Sequence, residues 1–83
     1  MKLLYFASVR EAVGVSSEEY AFPQELRSVA EALDWLSGQS EEHAAAFSDH
    51  AKLRFALDQN MATADTLIGD AHELAIFPPV TGG

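Results

Sequence analysis

The segment that decides the fold is S-V-A-E-A-L-D-W-L-S-G, from Ser28 to Gly38. Its first four residues form a capping box, in which the side chains of Ser28 and Glu31 each satisfy a free backbone N–H at a helix start. Gly38 stands where a helix C-terminus favours a residue with positive φ. The apolar residues that follow the cap at helical spacing are Val29, Ala32, Leu33 and Leu36. The segment therefore predicts an amphipathic helix that packs through one face.

Two strands are predicted before this helix. Residues Lys2 to Ser8 are apolar on both faces, as in a central strand, and Val9 to Gly14 then breaks the pattern and ends on a turn-forming glycine. Residues Ser17 to Phe22 form a weaker strand, with Tyr20 and Phe22 on one face, and Pro23 closes it. The two strands are expected to form a hairpin with a wide loop.

The chain after the main helix is predicted to contain a short helix, three strands and a loop. In order, these are a helix from Glu41 to about Phe47, a strand from Leu53 to the turn-forming Asn60, a short strand from Met61 to Thr63, a loop with two apolar plugs from Leu67 to Asp70, and a strand from Glu73 to Phe77. The order suits an α+β domain: a mixed sheet with one main helix packed on one face and a short second helix. The β-grasp, or ubiquitin-like, fold has this order.

Composition limits the class of protein. A chain of 83 residues with 48% hydrophobic residues can build one core, and the absence of cysteine excludes disulfides and thiolate metal sites. The formal charge of −8 disfavours nucleic acid and anionic membranes as partners. Because the apolar runs are short and the start, Met1 to Leu4, soon becomes polar, neither a membrane span nor a signal peptide is predicted. We expect a soluble, cytoplasmic protein.

Catalytic motifs are missing from the sequence of the domain. The chain has no nucleophile elbow, phosphate-binding loop or dinucleotide fingerprint. The three histidines, His43, His50 and His72, lack metal-ligand spacing, so we predict that they lie on the surface and that no metal is bound. The acidic pairs Glu18-Glu19 and Glu41-Glu42 are interpreted as solvated strand and helix ends. Trp35 and Phe47 are interpreted as core residues rather than as a ligand-stacking platform.

The end of the chain, F-P-P-V-T-G-G, carries the strongest functional signal. The two prolines favour an extended spur, and the two final glycines let a carboxylate pass down a channel too narrow for a Cβ. Residues 1–77 are therefore interpreted as the domain and residues 78–83 as an extended tail that reaches at most roughly 20 Å. A frayed terminus is the alternative, but no charged or serine-rich spacer precedes the tail.

Three segments carry a resemblance to a known family: F-A-S-V-R-E-A-V-G from Phe6, L-R-F-A-L-D-Q-N from Leu53, and I-F-P-P-V-T-G-G from Ile76. With them the chain resembles, over nearly its whole length, the small subunit of molybdopterin synthase, the sulfur carrier of molybdenum cofactor biosynthesis. The one departure is Asp70-Ala71-His72, where the family usually has an acidic-Gly-acidic turn. This departure affects only the expected turn geometry.

The resemblance implies a role for Gly83. An ATP-dependent adenylyltransferase of the ubiquitin-activating type would convert its carboxylate to an acyl-adenylate, and a sulfur donor protein would then produce a thiocarboxylate. ATP would be used by that enzyme, and no cofactor would stay bound to this chain. The tail would insert into the synthase large subunit, which would supply the catalytic side chains. The implied partner-binding residues are Phe77, Pro78, Pro79, Val80, Thr81 and Gly82.

The resemblance also implies the product and the assembly. Sulfur would pass to cyclic pyranopterin monophosphate to form the dithiolene of molybdopterin. Because a dithiolene needs two sulfurs, two loaded carriers would serve each product. The assembly that the resemblance implies is a heterotetramer of two small and two large subunits. Two other functions remain open: a ubiquitin-like modifier conjugated to lysines through Gly83, and a sulfur carrier for another thio-compound such as thiamine.

Overall fold

A mixed sheet of five strands, covered on one face by helices, organises residues 1–79, the part of the chain that this computed structural model describes. The elements in chain order are β1 (Lys2–Tyr5), α1 (Ala7–Val13), β2 (Ser17–Glu19), α2 (Val29–Ser37), α3 (Glu41–Phe47), a 3₁₀ turn (His50–Lys52), β3 (Arg54–Leu57), β4 (Asn60–Ala62) and β5 (Glu73–Phe77). The predicted α+β class is confirmed. Helix α1 is an addition that the sequence pattern did not predict.

The last strand lies at the centre of the sheet. The strand order is β2-β1-β5-β3-β4, and β5 pairs in parallel with β1 and antiparallel with β3. Leu74 and Ile76 of β5 are fully buried, which explains why this strand takes the central place. The prediction that the last strand pairs centrally is confirmed. Pro78, the first residue of the predicted tail, therefore follows a strand in the middle of the sheet.

The core lies between the helices and the inner face of the sheet. Its fully buried members from the helices are Val29, Ala32, Leu33, Leu36 and Phe47, and those from the strands include Leu3, Leu74 and Ile76. Each large apolar side chain removed from water stabilises the fold by about 1.5 to 3 kcal/mol. Trp35 is partly buried, with Tyr20 and Phe22 edge-on at ring-centroid distances of 5.4 Å. The predicted packing role of Trp35 and Phe47 is confirmed.

Helix α2 begins as predicted and ends differently. The Ser28 side chain accepts a hydrogen bond from the Glu31 backbone N–H at 3.2 Å, and the Glu31 carboxylate accepts one from the Ser28 hydroxyl rather than from its predicted backbone partner. The prediction of positive φ at Gly38 is wrong, because its φ is −82°. Short-range bonds from the N–H groups of Gly38 and Gln39 to the carbonyls of Trp35 and Leu36 tighten the last turn, so no left-handed residue is needed.

The first strand is shorter than predicted because a helix follows it. The segment predicted to continue the strand to Ser8 and then form a loop is instead α1, which buries Val9 and ends at Gly14. Gly14 has φ 98° and donates its N–H to the Arg10 carbonyl at 2.8 Å, which is a glycine C-cap. Strands β1 and β2 are antiparallel, as the predicted hairpin requires, with α1 in their connection.

The second strand ends at Glu19 instead of Phe22, because Tyr20 and Phe22 turn to pack against Trp35.

The strands of the β3–β4 hairpin also differ from the predicted ones by a residue or more at their ends. Asp58 and Gln59 form the turn with φ values of 48° and 71°, so β4 begins at Asn60. Left-handed values at both central residues are typical of a type I′ turn.

The loop before β5 contains one apolar plug instead of the predicted two. Ile68 is 8% exposed, whereas Leu67 is 70% exposed. The structure also shows how the turn at Asp70-Ala71-His72 forms without a central glycine. Gly69 supplies a left-handed residue with φ 55°, and the Asp58 carboxylate accepts from the backbone N–H groups of His72 and Glu73, both at 3.0 Å.

Candidate functional site at the root of the tail

Strand β5 carries the chain from the core to the predicted tail. Ile76 is fully buried, and the next residue, Phe77, lies half-buried on the opposite face of the sheet, as the alternation predicts. Pro78 and Pro79 follow without regular secondary structure and are half-buried. Val80, Thr81, Gly82 and Gly83 lie outside the described residues, so the roles expected for them remain predictions.

Phe6 and Phe77 form an aromatic pair at this root. Their ring centroids are 6.2 Å apart with the rings at 81°, an edge-to-face contact, and Phe6 remains 46% exposed. The Phe6 backbone joins β1 to α1: its N–H donates to the Ile76 carbonyl at 3.2 Å, and its own carbonyl accepts from Val9 at 3.0 Å. Ala7, at the joint, has φ 50°, a costly value for alanine. Two backbone elements thus hold an exposed aromatic beside the start of the tail.

The face of the sheet opposite the helices, here called the open face, continues this apolar surface. Strand register places Leu4 beside Ala75, Ala75 beside Ala56, and Ala56 beside Met61. Met61 is 69% exposed. A continuous row of apolar side chains on an uncovered face, next to a predicted functional group, is typical of a protein interaction site. The sequence pattern predicts Phe77 alone as a contact residue, because it places Phe6 in the interior of a strand.

A polar cluster lies on the other side of the sheet, between β1, the β2 edge and α3. The Glu18 carboxylate accepts hydrogen bonds from His43 Nε2 at 2.7 Å and from the Tyr5 hydroxyl at 2.8 Å, and Tyr20 lies 3.4 Å away. His43 Nδ1 is 2.7 Å from the Ser40 hydroxyl. The prediction that His43 is a surface residue is wrong, because it is 6% exposed, and Glu18 is no simple solvated strand end.

The cluster shifts the pKa values of its members. Burial would raise the pKa of Glu18, but hydrogen bonds from His43 and Tyr5 outweigh it and hold the pKa below its usual value. Burial, followed by the hydrogen bond to the Glu18 carboxylate, raises the pKa of Tyr5. Burial and the negative charge of Glu18 likewise raise the pKa of Tyr20. The cluster therefore holds one carboxylate ionised at neutral pH and fastens α3 to the sheet.

The other histidines lie apart from this cluster. His50 Nε2 is 3.5 Å from the carboxylate of Asp34, and His72 is exposed. Within residues 1–79 no group of three or more histidine and acidic side chains is placed to hold a metal ion. None of the helices described there is both long and apolar enough to cross a membrane.

Comparison with known protein families assigns the chain to one family over nearly its whole length. The model of the ThiS family matches residues 3–83. The molybdopterin synthase sulfur carrier subunit of Escherichia coli strain K12 is 42% identical, with 100% of this chain and 99% of that protein covered. Proteins of the same name from Haemophilus influenzae and Mycobacterium tuberculosis are 30% and 31% identical and also cover 100% of this chain.

Solved structures agree on the fold. The crystal structure of SAMP1 from Haloferax volcanii aligns with a TM-score of 0.76 at 24% identity, covering 100% of this chain and 98% of that one, a likeness that supports the fold alone. A putative molybdopterin converting factor, subunit 1, from Pyrococcus furiosus aligns at 0.71 with 25% identity, covering 95% of each chain. The small archaeal modifier protein 1 of H. volcanii aligns at 0.68 with 29% identity, covering 96% of this chain and 97% of that one.

The predicted β-grasp fold is confirmed by these neighbours together with the central β5 and the helices on one face of the sheet. The resemblance drawn from the tail and from the Phe6 and Leu53 segments is confirmed by matches that span the chain. The chain belongs to the ThiS family, and within it to the family of the molybdopterin synthase sulfur carrier subunits.

Proposed function

We propose that this chain is the sulfur carrier subunit of a molybdopterin synthase, with residues 1–77 as the carrier domain and residues 78–83 as the tail that delivers Gly83. The observation that carries the proposal is where the tail begins: Pro78, the first residue of P-P-V-T-G-G, follows directly from the central strand, beside the exposed Phe6 and the half-buried Phe77. The full-length match to three proteins named as such carriers supports it.

The chemistry begins at the Gly83 carboxylate. A carboxylate is a poor electrophile, so an activating enzyme must first join it to the α-phosphate of ATP and release pyrophosphate. A sulfur donor at the oxidation level of sulfide then attacks the acyl carbon, AMP leaves, and a thiocarboxylate remains. ATP is thus a substrate of the activating enzyme, and this chain needs no resident cofactor. The proposed location of these steps is a reducing cytoplasm.

The acceptor of the sulfur is cyclic pyranopterin monophosphate, bound on the large subunit. The terminal sulfur is the nucleophile: it bonds to the acceptor carbon and leaves a thioester between the acceptor and Gly83. Water then hydrolyses the bond between the sulfur and the Gly83 acyl carbon, so the sulfur stays on the acceptor and Gly83 returns to its carboxylate form. A dithiolene contains two sulfurs, so two loaded carriers serve each product. A heterotetramer of two small and two large subunits supplies both. The acid and base groups for the transfer belong to the large subunit, and this chain acts as a protein co-substrate.

The open face and the aromatic pair form the docking surface for the large subunit. Phe77 lies at the root of the tail, Phe6 contacts it, and Met61 extends the apolar surface across the sheet. Aromatic side chains in the centre of an interface often contribute most of the binding free energy. Docking through this surface places the tail at the partner's active site, while Pro78 and Pro79 limit the conformations that the tail must lose on binding.

Intact mass spectrometry tests the proposal. The chain is incubated with ATP, the activating enzyme and a sulfur donor, and a matched sample lacks ATP. We expect the mass to rise by the difference between one sulfur and one oxygen only when ATP is present. The loaded chain, mixed with the large subunit and cyclic pyranopterin monophosphate, should form molybdopterin and return to its starting mass. Failure to gain sulfur under these conditions would contradict the proposal.

A ubiquitin-like modifier is the second candidate, favoured by the structural similarity to the small archaeal modifier protein 1 of H. volcanii. A modifier would leave the activating enzyme as an isopeptide with lysine, and the product would have the added mass of the target protein. The same mass measurement therefore separates the two functions. Sulfur carriage for thiamine or another thio-compound would give the same loaded mass but no molybdopterin with the large subunit.

A further inference from the structure

The open face of the sheet has a charge at each end. Register places Arg54 of β3 directly opposite Phe77 of β5, so the guanidinium lies at the tail end of the face. At the far end, Lys2 of β1 stands between Glu19 of β2 and Glu73 of β5. The apolar row from Leu4 to Met61 lies between these ends. The face is therefore cationic beside the tail, whereas at the opposite end Lys2 and the Met1 ammonium, which lies 3.4 Å from the Glu19 carboxylate, offset the charges of Glu19 and Glu73.

The two ends act separately on a partner. Glu73 and Phe77 are four residue steps apart along β5, which is about 13 Å at the rise of a β-strand. The Debye length at physiological ionic strength is about 8 Å. A charge on the partner that meets Arg54 therefore interacts little with the charged groups at the far end of the face. The local sign beside the tail is opposite to the overall charge of −8.

Arg54 is available for a partner. It is exposed, and its guanidinium donates to the neighbouring Leu53 carbonyl at 3.1 Å. Within residues 1–79 no carboxylate lies within ion-pair distance of it, whereas Lys52 pairs with Asp49 at 3.7 Å. An Arg in this position can bind a carboxylate with two parallel hydrogen bonds.

We propose that Arg54 pairs with a carboxylate of the synthase large subunit at the point where the tail enters it, and so sets the register of docking. The inference rests on the proposed function, since it assumes that the large subunit covers the open face. The apolar row alone would tolerate sliding along the sheet, because neighbouring apolar contacts resemble one another. A charge beside Phe77 favours the one placement in which the tail meets its channel.

Association kinetics with the large subunit test the inference. The variants are Arg54→Gln and Arg54→Glu, and the matched control is Arg27→Glu, an exposed arginine just before α2, on the helix side of the sheet. We expect Arg54→Gln to weaken binding about fivefold and Arg54→Glu on the order of tenfold. Both effects should fade at about 1 M salt, where the Debye length is about 3 Å.

The control separates a local pair from net charge. Both reversals make the chain more acidic by the same amount, so equal effects of Arg54→Glu and Arg27→Glu would overturn the inference. If Arg54→Glu weakens binding more than Arg27→Glu does, one substitution of an Asp or Glu of the large subunit by Lys should restore binding of Arg54→Glu. Failure of every such substitution to restore it would also count against a paired carboxylate. If the unmodified chain does not bind the large subunit at all, the proposed function falls together with the inference.

Discussion

His43 Nε2 lies 2.7 Å from Glu18 Oε1, and this bond joins helix α3 to the edge strand β2 across 25 residues of sequence. The same carboxylate oxygen accepts from the Tyr5 hydroxyl at 2.8 Å, so one acidic side chain fastens three elements. The His43 side chain is 8% exposed and that of Glu18 26% exposed. Removing one partner of such a group leaves the others buried without their hydrogen bonds, and an unsatisfied buried polar group lowers the free energy of unfolding.

We predict that Glu18→Gln destabilises the fold by about 2 kcal/mol at neutral pH. Although burial acts in the opposite direction, hydrogen bonds from His43 and Tyr5 hold the pKa of Glu18 in the folded state below the ordinary value for glutamate. The stability that Glu18 contributes is therefore present above that ordinary value and is lost as the pH falls through the folded-state pKa. The difference between wild type and variant should therefore shrink as the pH is lowered from about 7 to about 3. Urea denaturation across this range measures it.

Glu41→Gln is the control for this prediction, because Glu41 is an exposed carboxylate on the same side of the molecule, in α3. It should change the free energy of unfolding by less than about 0.5 kcal/mol at every pH. A Glu18→Gln variant that behaves like Glu41→Gln would show that the cluster does not fasten α3.

Two glycines that end helices should respond oppositely to alanine. Gly14→Ala should destabilise by about 1 kcal/mol, because its φ of 98° is costly for alanine although nothing lies within 4 Å of the added Cβ. Gly38→Ala should leave stability unchanged or raise it by up to about 0.5 kcal/mol, since Gly38 has φ −82° and the Cβ would meet the Trp35 carbonyl at 3.4 Å. Thermal melting of the two variants compares them directly, and equal destabilisation would show that the helix ends are assigned wrongly.

Sequence predicted those elements whose signals are local. Helix α2 has both a cap and a complete apolar stripe, and β5 alternates clearly, so both were found with their limits close to correct. Helix α1 was missed because its seven residues offer only Val9 and Val13 as apolar anchors, and the preceding strand pattern continues into it. The four-residue spacing between Val9 and Val13, followed by Gly14, is the signal that could have identified this helix.

Contacts between distant residues could not be predicted in the same way. The burial of His43 depends on Glu18, which is 25 positions away, and no local pattern marks the pair. Phe6 belongs to the candidate site only because the pairing of β1 with β5 brings its ring into contact with that of Phe77. The role of the di-glycine tail, by contrast, could be predicted from the sequence, because its proposed chemistry needs only a terminal carboxylate and a narrow chain.

Phe77→Ser should weaken association with the large subunit by about 2 kcal/mol or more, because an aromatic anchor at the root of the tail would be lost. Leu67→Ser is the control, since Leu67 is 70% exposed and belongs to the loop before β5. Calorimetric titration gives both affinities. Unchanged affinity of Phe77→Ser together with a lowered melting temperature would mean that Phe77 serves the fold instead.

Gly82 should tolerate no Cβ, for a reason separate from the chemistry of Gly83. If the tail threads a narrow channel, Gly82→Ala should fold and bind normally but lose most adenylation and sulfur transfer, and Gly82→Val should lose more. A displacement of the terminal carbonyl by about 1 Å can cost on the order of a hundredfold in rate. Single-turnover transfer with preloaded carrier, alongside an adenylation assay, measures both steps. Wild-type rates for Gly82→Val in both would show that the tail works without a channel.

The central claim is that Gly83 carries the sulfur and that the domain only presents it. Deletion of Gly83 removes the reacting carbon and touches no core residue, so thermal melting and molybdopterin formation should separate. The decisive measurement is product formation by the large subunit with the deleted chain, after treatment with ATP, activating enzyme and sulfur donor. The account predicts an unchanged melting temperature and no molybdopterin. Molybdopterin formed at the wild-type rate by the deleted chain would contradict it.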